Sequence, residues 1–254
     1  YTLHDGKHVI AARDGAYLMD GSTYRVTALE FPGDSTNVKF SYESRKNCLY
    51  MGTSKGLYAL DSTYQVRYVL NVGREIPRVF TMLEYGRSFY LGTERGLYLL
   101  TEERDRVHVE EVFPALQDKW ITNLFTDSLG VIWGTTDNRI FRIDPIHGTF
   151  VNYGHSENVR ARFFYPNGYC RGPDGSIYLG GLQGVNFFRP DAMARKASPL
   201  KPQVLSLGVI AADTVHYDLR HPISLKNHYH DLEIGFTVPY YGSEDDLRFR
   251  YRLH

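Results

Sequence analysis

Planar donors and flat aromatic faces occur together in three polar segments, GREIPRVF at 73–80, QDKWITN at 117–123 and SENVRARFFYPNGY at 156–169. A guanidinium group donates hydrogen bonds in a fixed plane and suits carboxylates, whereas an aromatic ring offers an apolar face on which a sugar ring can lie. These segments therefore predict recognition of a sugar, including an acidic one. The candidate ligand-binding residues are Arg78, Trp120, Arg160, Arg162 and Tyr165. The alternative interpretation is that Trp120 fills a core and that the arginines pair with carboxylates.

Residue types that could perform catalysis do not converge in the sequence. Adjacent carboxylates at 102–103, 110–111 and 244–246 fall in polar hairpin tips or outer strands, where a solvated surface is the default. His228 and His230 share one face of a strand at a spacing that suits a metal, but no third ligand is near, which favours a surface feature. The glycine-rich phosphate loop, the nucleophile elbow and paired C-x-x-C motifs are all missing from the sequence. We expect no catalytic residue, no metal and no cofactor.

Charge, hydrophobicity and cysteine content limit what the chain can bind, whether it can span a membrane and how it can be cross-linked. The chain of 254 residues has 29 Lys plus Arg and 29 Asp plus Glu, so no overall field recruits nucleic acid, and we expect none to bind. No stretch approaches the roughly 18 apolar residues that span a bilayer. The two cysteines, Cys48 and Cys170, are either two separate buried thiols or one bridge.

A twelve-residue pattern recurs along the chain and predicts the scaffold that carries these segments. LYMGTSKGLYAL at 49–60 and FYLGTERGLYLL at 89–100 are nearly identical, and weaker copies begin at 9, 131 and 177. The spacing of about 40 residues is that of a β-propeller blade, and each copy predicts a β-hairpin. Close approach of neighbouring backbone, or a tight turn in which a glycine such as Gly56 takes positive φ, explains the repeated glycines. These are Gly52, Gly56, Gly92, Gly96, Gly134, Gly180 and Gly184.

Alternating apolar runs on both sides of each hairpin predict the two further strands that a four-stranded blade requires. From Gly134 to Asp144 the fourth copy is one residue longer than its counterpart, which predicts a bulge or a longer loop there. The hairpin pattern ends near 190, and four new strand-like runs follow at 204–210, 214–219, 230–238 and 247–253. The predicted fold is all-β, with a partial β-propeller at 1–190, a linker at 191–202 and the beginning of an immunoglobulin-like β-sandwich at 203–254.

The order of these elements resembles a known family. DSLGVIWGTT at 127–136 and the G-T-x-x-G-L-Y hairpins are followed by VNFFRPDAM at 185–193 and by DLEIGFTVPYYGSEDDLRFRYRL at 231–253. This order resembles the periplasmic sensor region of hybrid two-component regulators of the Bacteroides type, whose propeller is followed by an immunoglobulin-like domain often called the Y_Y_Y domain. Ala11-Ala12 in the first copy and Asn138-Arg139 in the fourth depart from the pattern. The resemblance implies a ring of seven blades, of which about four and a half are present, so the chain is expected to be part of a larger protein.

The resemblance implies a function that is not enzymatic. Such a region would detect an oligosaccharide released from a glycan and control transcription of polysaccharide-utilisation genes from the periplasm. The resemblance further implies that the full-length protein is a histidine kinase that forms a homodimer and meets the membrane only through segments outside this chain. Two alternatives stay open: a propeller glycosidase or polysaccharide lyase, and a structural propeller that binds proteins.

Overall fold

The structure is a computed structural model that describes residues 1–31, 37–103, 106–154, 159–161, 163–193, 201–210, 215–217 and 231–238. The chain divides into two units, Tyr1–Met193 and Ala194–His254. Nearly all the regular structure is β-strand, as the sequence predicts. Within the described residues, no helix has the length and hydrophobicity needed to cross a membrane.

The first unit consists of five antiparallel sheets arranged as blades of a β-propeller. Blade 1 contains β1 His8–Ala11, β2 Ala16–Met19 and β3 Val26–Ala28. Blade 2 contains β4 Val38–Glu43, β5 Leu49–Thr53, β6 Gly56–Leu60 and β7 Val66–Asn71. Blade 3 contains β8 Val79–Tyr85, β9 Ser88–Thr93, β10 Gly96–Glu103 and β11 Arg106–Val112. Blade 4 contains β12 Asn123–Thr126, β13 Ile132–Thr135, β14 Ile140–Asp144 and β15 Thr149–Tyr153. Blade 5 contains β16 Phe164–Arg171, β17 Ile177–Gly181 and β18 Gly184–Phe188.

The described residues of this unit also contain two short helical turns, a 3₁₀ turn at Pro114–Leu116 and α1 at Pro190–Met193. The predicted inner and outer strands are confirmed, because β4, β8, β12 and β16 precede the repeated hairpins and β7 and β11 follow them. The burial of each strand explains whether its sequence is apolar throughout or alternates with polar residues. All five residues of β5 are buried because neighbouring blades cover both of its faces, whereas β11 alternates half-buried valines with exposed charged residues.

Hydrophobic cores lie between successive blades. One core joins blades 1 and 2 around Leu18 and Met51, and the next joins blades 2 and 3 around Leu57 and Leu91. Blades 3 and 4 share a core of similar composition around Leu97 and Phe141. Between blades 4 and 5, the fully buried Trp133 packs with Tyr153, Phe164 and Ile177. The propeller is therefore held together face to face, blade against blade.

The repeated small residue of each hairpin occupies one register position. Gly52 pairs with Leu57 and Gly92 with Leu97, so the alignment of the copies is confirmed. A Cβ at Gly52 would lie 1.8 Å from Cε1 of Phe40, so the ring needs the bare backbone beneath it. Gly180 differs, because its nearest neighbour would be the Gly168 carbonyl oxygen at an ordinary 3.4 Å.

The second glycine of each hairpin is required for different physical reasons in different blades. Gly96 and Gly184 have φ of +133° and +114°, which L side chains rarely adopt. The interpretation of Gly56 as a residue with positive φ is wrong, since it is not among the glycines in that region. A Cβ at Gly56 would instead lie 2.4 Å from the carbonyl oxygen of Leu70 on β7. Gly56 is thus required by the close approach of the outer strand.

The hairpin of blade 4 has the longer loop that the sequence predicts. Residues 136–139 separate β13 from β14, whereas two residues, 54–55 or 94–95, separate the corresponding strands of blades 2 and 3. The β13–β14 register runs without a shift, so the extra residues lie in the loop and not in a bulge.

The second unit is described only in part, as a three-stranded antiparallel sheet in the order β20-β19-β21. Its strands are β19 Gln203–Ile210, β20 Val215–Tyr217 and β21 Asp231–Thr237, which match three of the predicted strand-like runs. The fourth run, at 247–253, lies outside the described residues. The immunoglobulin-like sandwich stays a prediction.

The cysteines form no bridge. Cys48 and Cys170 are both free, which confirms separate thiols. The expectation that both are buried is wrong, because Cys170 is exposed and Cys48 is half-buried. Cys170 is the register partner of Tyr178, which is also exposed, so the thiol lies on the open face of blade 5, which no neighbouring described blade covers.

Candidate functional site

Hairpin tips and the connections into the inner strands lie at the same end of the blades. Val72, in the connection that leads to β8, donates from its backbone N–H to the Lys55 carbonyl in the β5–β6 tip over 2.8 Å. The next connection repeats this contact, since the Asp118 N–H donates to the Arg95 carbonyl in the β9–β10 tip over 2.9 Å. We call this end the hairpin face. It carries all the described candidate residues of the sequence analysis.

An aromatic platform lies on the hairpin face where β8, β12 and β16 begin. The Trp120 ring packs against Phe80, with 5.5 Å between ring centroids and 42° between ring planes. Tyr165 packs edge-on against Phe163 at 5.9 Å. The side chains of Trp120 and Tyr165 are each 47% exposed, so they offer large apolar faces to solvent while their other sides are packed. Exposed aromatic rings held in this way are suited to binding.

Two asparagines fix the backbone beneath this platform. Asn167, at φ 54°, donates from Nδ2 to the Phe80 carbonyl over 2.9 Å and from its backbone N–H to the Thr122 carbonyl over 3.1 Å. Asn123 is fully buried and donates from Nδ2 to the Tyr165 carbonyl over 3.0 Å. These bonds join the beginnings of three inner strands. We name Phe80, Trp120, Asn123, Tyr165 and Asn167 the mouth cluster.

The unusual hairpin of blade 4 supplies the support for Asn123. In blade 3, the hydroxyl of Thr93 donates to the Gly96 carbonyl and accepts the Arg95 N–H, so the turn uses it fully. In blade 4, Thr136 accepts the backbone N–H of the residue that closes the longer loop over 3.1 Å. Thr135 is thereby released from the turn, and its hydroxyl accepts from Asn123 Nδ2 over 2.8 Å.

The structure brings together some of the predicted ligand-binding residues. Trp120 and Tyr165 belong to the mouth cluster. Arg78 lies two residues before Phe80, but its guanidinium is 3.8 Å from Glu94, which matches the alternative of a carboxylate pair. Arg160 lies in a separate groove between blades 4 and 5. Arg162 lies outside the described residues.

Sequence reasoning missed Phe80, Asn123 and Asn167. Asn123 had a detectable signal, because it pairs with Thr135 at the register position where blades 2 and 3 have Val38 and Val79. A polar residue at an otherwise apolar strand position points to a specific partner. Asn167 lies in the Tyr-Pro-Asn-Gly segment, a turn signal that predicts the backbone but not the contact with blade 3.

Aspartates at the opposite end of the blades are engaged in turns. Asp127 accepts the backbone N–H groups of Leu129 and Val131 through Oδ1 and the Trp133 indole N–H through Oδ2, each over 2.9 Å. Asp61 and Asp174 accept hydrogen bonds in the same way, and these bonds hold the pKa of both carboxyl groups below its usual range. These three carboxylates stabilise turns, and their hydrogen bonds within the turns argue against a role in binding a substrate.

Glu102 departs from the expectation of a solvated carboxylate. Its side chain is 18% exposed, accepts hydrogen bonds from the hydroxyls of Tyr50 and Tyr68, and lies 3.6 Å from the Arg67 guanidinium. Burial, together with the hydrogen bond to Glu102, raises the pKa of both tyrosines well above its usual value. The expectation is wrong because blade 2 covers this end of β10. The cluster ties blade 2 to blade 3, and its hydroxyls and carboxylate satisfy one another.

Metal-ligating groups are sparse in the part of the chain that the structure describes, where no three His, Cys, Asp or Glu residues gather. His147 lies 2.6 Å from Asp144 in an exposed turn, and this hydrogen bond lowers the pKa of the Asp144 carboxyl. His228 and His230 lie outside the described residues, as does the carboxylate run at 244–246.

Comparison with known proteins gives fold relatives only. No protein-family model matches the sequence, and no curated protein matches it. The extracellular domain of the hybrid two-component system BT3049 from B. thetaiotaomicron is similar with a TM-score of 0.68 and 17% identity, over 94% of this chain and 34% of that chain. The extracellular domain of BT4673 from the same organism is similar with a TM-score of 0.59 and 18% identity, over 81% of this chain and 28% of that one. Virginiamycin B lyase from Staphylococcus aureus is similar with a TM-score of 0.56 and 11% identity, over 89% of this chain and 84% of the lyase.

At these identities the likeness establishes the β-propeller fold and not a shared activity. The chain spans about a third of the length of the two extracellular domains, 34% and 28%, but most of the lyase. The predicted resemblance to sensor regions of hybrid two-component systems is thus confirmed at the level of fold.

Proposed function

We propose that this chain is a ligand-sensing part of the extracytoplasmic region of a hybrid two-component regulator, and that its ligand is an oligosaccharide derived from a glycan. The observation that carries the proposal is the mouth cluster, in which exposed rings rest on a buried hydrogen-bonded support. Similarity in fold to two extracellular domains of hybrid two-component systems supports the sensor role.

The chemistry of the mouth cluster suits a sugar. Each face of a pyranose ring presents C–H groups that pack on an aromatic plane, and Trp120 and Tyr165 supply such planes. The cluster joins three blades through backbone carbonyls, so the rings are held before a ligand arrives. Preorganisation of this kind lowers the entropy lost on binding.

The remainder of the proposal concerns the full-length protein. It would form a homodimer in the periplasm and control polysaccharide-utilisation genes, with kinase and membrane segments outside this chain. Binding would alter how propellers or protomers pack, because tightly cored blades are poor at changing internally.

The test is oligosaccharide binding by the wild type and by a Trp120→Ala variant. We expect a library of oligosaccharides to contain at least one ligand, detected by calorimetry, and Trp120→Ala to weaken its affinity on the order of tenfold or more, as loss of a central aromatic contact does. Phe187→Ala is the matched control, since Phe187 is a 65% exposed aromatic residue at the end of β18 far from its hairpin tip. Equal affinities in all three proteins would reject the mouth cluster as the binding site.

A lyase or glycosidase is the second candidate, because a solved lyase shares the fold over most of its length. This function requires cleavage, so incubation with polysaccharides would generate new reducing ends or unsaturated products. The sensor proposal expects a bound oligosaccharide to be recovered unchanged. Recovery of cleaved sugar would favour the enzyme.

A further inference from the structure

Strand β18 forms the outer edge of the blade 5 sheet, whose strand order is β16-β17-β18. In blades 2, 3 and 4 the corresponding strands β6, β10 and β14 each pair on that side with a further strand, β7, β11 or β15. Among the residues that the structure describes, no fourth strand pairs with β18. Because alternate residues of a strand direct both their N–H and C=O groups to one side, half of the backbone groups of β18 point outward without a described strand partner.

The described chain that follows β18 turns towards blade 4 and does not return along this edge. The hydroxyl of Tyr153 on β15 donates to the Met193 carbonyl in α1 over 3.2 Å, and Met193 packs on the core between blades 4 and 5. Phe188, the last residue of β18, packs on Trp133 of blade 4 with 5.2 Å between ring centroids. These contacts fix β18 in place while its outer edge stays open within the described unit.

The exposed side chains of β18 are apolar. Val185 and Phe187 are 68% and 65% exposed, and the Phe187 ring stacks on Tyr178 of β17 with 5.7 Å between ring centroids. No charged residue occurs in the sequence from 175 to 188, whereas β11, the outer strand of blade 3, contains an arginine and two glutamates. The outer strand of blade 4, β15, also lacks charge, but its Val151 is only 40% exposed. Charged residues keep an edge strand from pairing with another chain, and β18 lacks this protection.

The β18 sequence GVNFF is complementary to itself in an antiparallel pair. With Asn186 opposite Asn186 of a second copy, Val185 of each strand lies opposite Phe187 of the other. A β-branched residue opposite an aromatic residue is a favourable cross-strand pair, and no like charges meet across the axis. Because alternate residues share one face of a strand, this register also places the valines and phenylalanines of both copies on the same face of the joined sheet.

We propose that β18 pairs with β18 of a second copy of this chain across a two-fold axis, so that the two blade 5 sheets form one continuous sheet. The other edge of each sheet is the innermost strand β16, so the assembly closes at two copies. One short strand per copy makes a small interface, and we expect a dissociation constant on the order of 10–100 µM. This inference goes beyond the proposed function, because it assigns a surface for self-association and involves no sugar.

The experiment is sedimentation equilibrium of the whole chain, without sugar, at concentrations from about 1 to 200 µM, which bracket the expected dissociation constant. The variants are Val185→Lys and Val26→Lys. Val26 is the matched control, because it is a 51% exposed valine on β3, the edge strand of blade 1. We expect the wild type and Val26→Lys to dimerise alike. Val185→Lys should weaken dimerisation on the order of tenfold or more, because the two-fold axis brings both substituted residues into the contact.

Two measurements on the wild type locate the contact without a substitution. Amide hydrogen exchange of residues 184–188 should slow severalfold at the highest concentration, because pairing protects the outward N–H groups, while exchange in β3 stays unchanged. Cys170 lies on the open face of blade 5, two strands away from the edge, and its thiol is exposed. Its rate of reaction with dithionitrobenzoate should therefore be the same in monomer and dimer, whereas packing of two open faces against each other would protect it.

The outcomes decide between edge pairing and the other arrangements. A dimer that Val185→Lys disrupts and Val26→Lys preserves, with Cys170 still reactive, supports the proposal. A monomer at every concentration overturns it, as does a dimer that persists in Val185→Lys. A dimer in which Cys170 is protected overturns it in favour of face-to-face packing, and equal disruption by both variants overturns it in favour of a contact that includes blade 1. Oligosaccharide affinity is measured separately, so a failure of the proposed sugar binding leaves this inference standing, and the reverse also holds.

Discussion

Gly52 and Gly180 occupy the same position of the repeat in different surroundings, so replacement of each by alanine should have different effects. At Gly52, a Cβ would lie 1.8, 2.4 and 2.7 Å from three ring carbons of Phe40. At Gly180, the nearest atom would be the Gly168 carbonyl oxygen at 3.4 Å. Neither glycine has a φ in the left-handed region, so the comparison isolates packing from backbone strain.

The magnitude follows from where Phe40 can go. Its ring is 6% exposed and packs in the core between blades 2 and 3, so it has no free space into which to retreat. Overpacking of a core costs about 1–3 kcal/mol, and expulsion of the ring would cost about 3–5 kcal/mol. Gly180→Ala should lie within about 1 kcal/mol of wild type, because alanine restricts the unfolded chain by about 0.4–1 kcal/mol and meets no hard clash. We expect Gly52→Ala to be the less stable by about 2 kcal/mol or more.

Urea unfolding followed by circular dichroism measures this difference as a shift in midpoint at constant slope. A difference of about 2 kcal/mol corresponds to roughly 4–8 °C in Tm for a chain of this size. Phe40→Val combined with Gly52→Ala should recover part of the loss relative to the sum of the single changes, because the smaller side chain makes room for the new methyl group. Equal stability of Gly52→Ala and Gly180→Ala would refute the close-approach explanation of the repeat glycine.

Two further predictions concern alkaline stability and the mouth cluster. Burial raises the pKa of Tyr42 to about 12 from an ordinary value of about 10, so the folded protein holds this proton more tightly than the unfolded chain does. The contribution of the neutral Tyr42 side chain to stability is complete below pH 10 and is lost between pH 10 and 12. The urea midpoint of the Tyr42→Phe variant should therefore fall less steeply with pH over that interval. An equally steep fall in the variant and the wild type would contradict the raised pKa of Tyr42. Asn123→Leu removes the buried donor to the Tyr165 carbonyl and should lower the free energy of unfolding by about 1–3 kcal/mol in the same assay, whereas a neutral effect would show that the carbonyl finds another donor.

The blade scaffold was predictable from the sequence because its determinants are local. A hairpin needs its two strands, its tip and a small residue within about twelve positions, and LYMGTSKGLYAL contains all of them. The core between blades was also predictable in kind, since strands such as β5 are apolar on both faces. Gly56 shows the limit: its need for glycine comes from Leu70 on the outer strand, which the hairpin sequence does not contain.

The site was less predictable because its contacts join distant parts of the chain. Asn167 contacts Phe80 across 87 positions, and Glu102 contacts Tyr50 across 52. Residue type alone does not distinguish the solvated Glu103 from the covered Glu102, because only the packing of blade 2 against blade 3 makes that difference. The sequence predicts Trp120 and Tyr165 as ligand-binding residues from residue type, and the structure places them beside inner strands that Asn123 and Asn167 join.

Departure from the repeat in blade 4 supplies the support of the mouth cluster. In blades 2 and 3, the hydroxyls of the hairpin threonines Thr53 and Thr93 form hydrogen bonds within their own turns. The longer tip of blade 4 shifts that task by one residue, so the hydroxyl of Thr135 turns to Asn123, and Asn123 in turn holds the backbone of Tyr165. The same four-residue tip carries Arg139 out to the groove beside blade 5. One lengthened hairpin therefore supports the aromatic platform, which lies where the repeat is least regular.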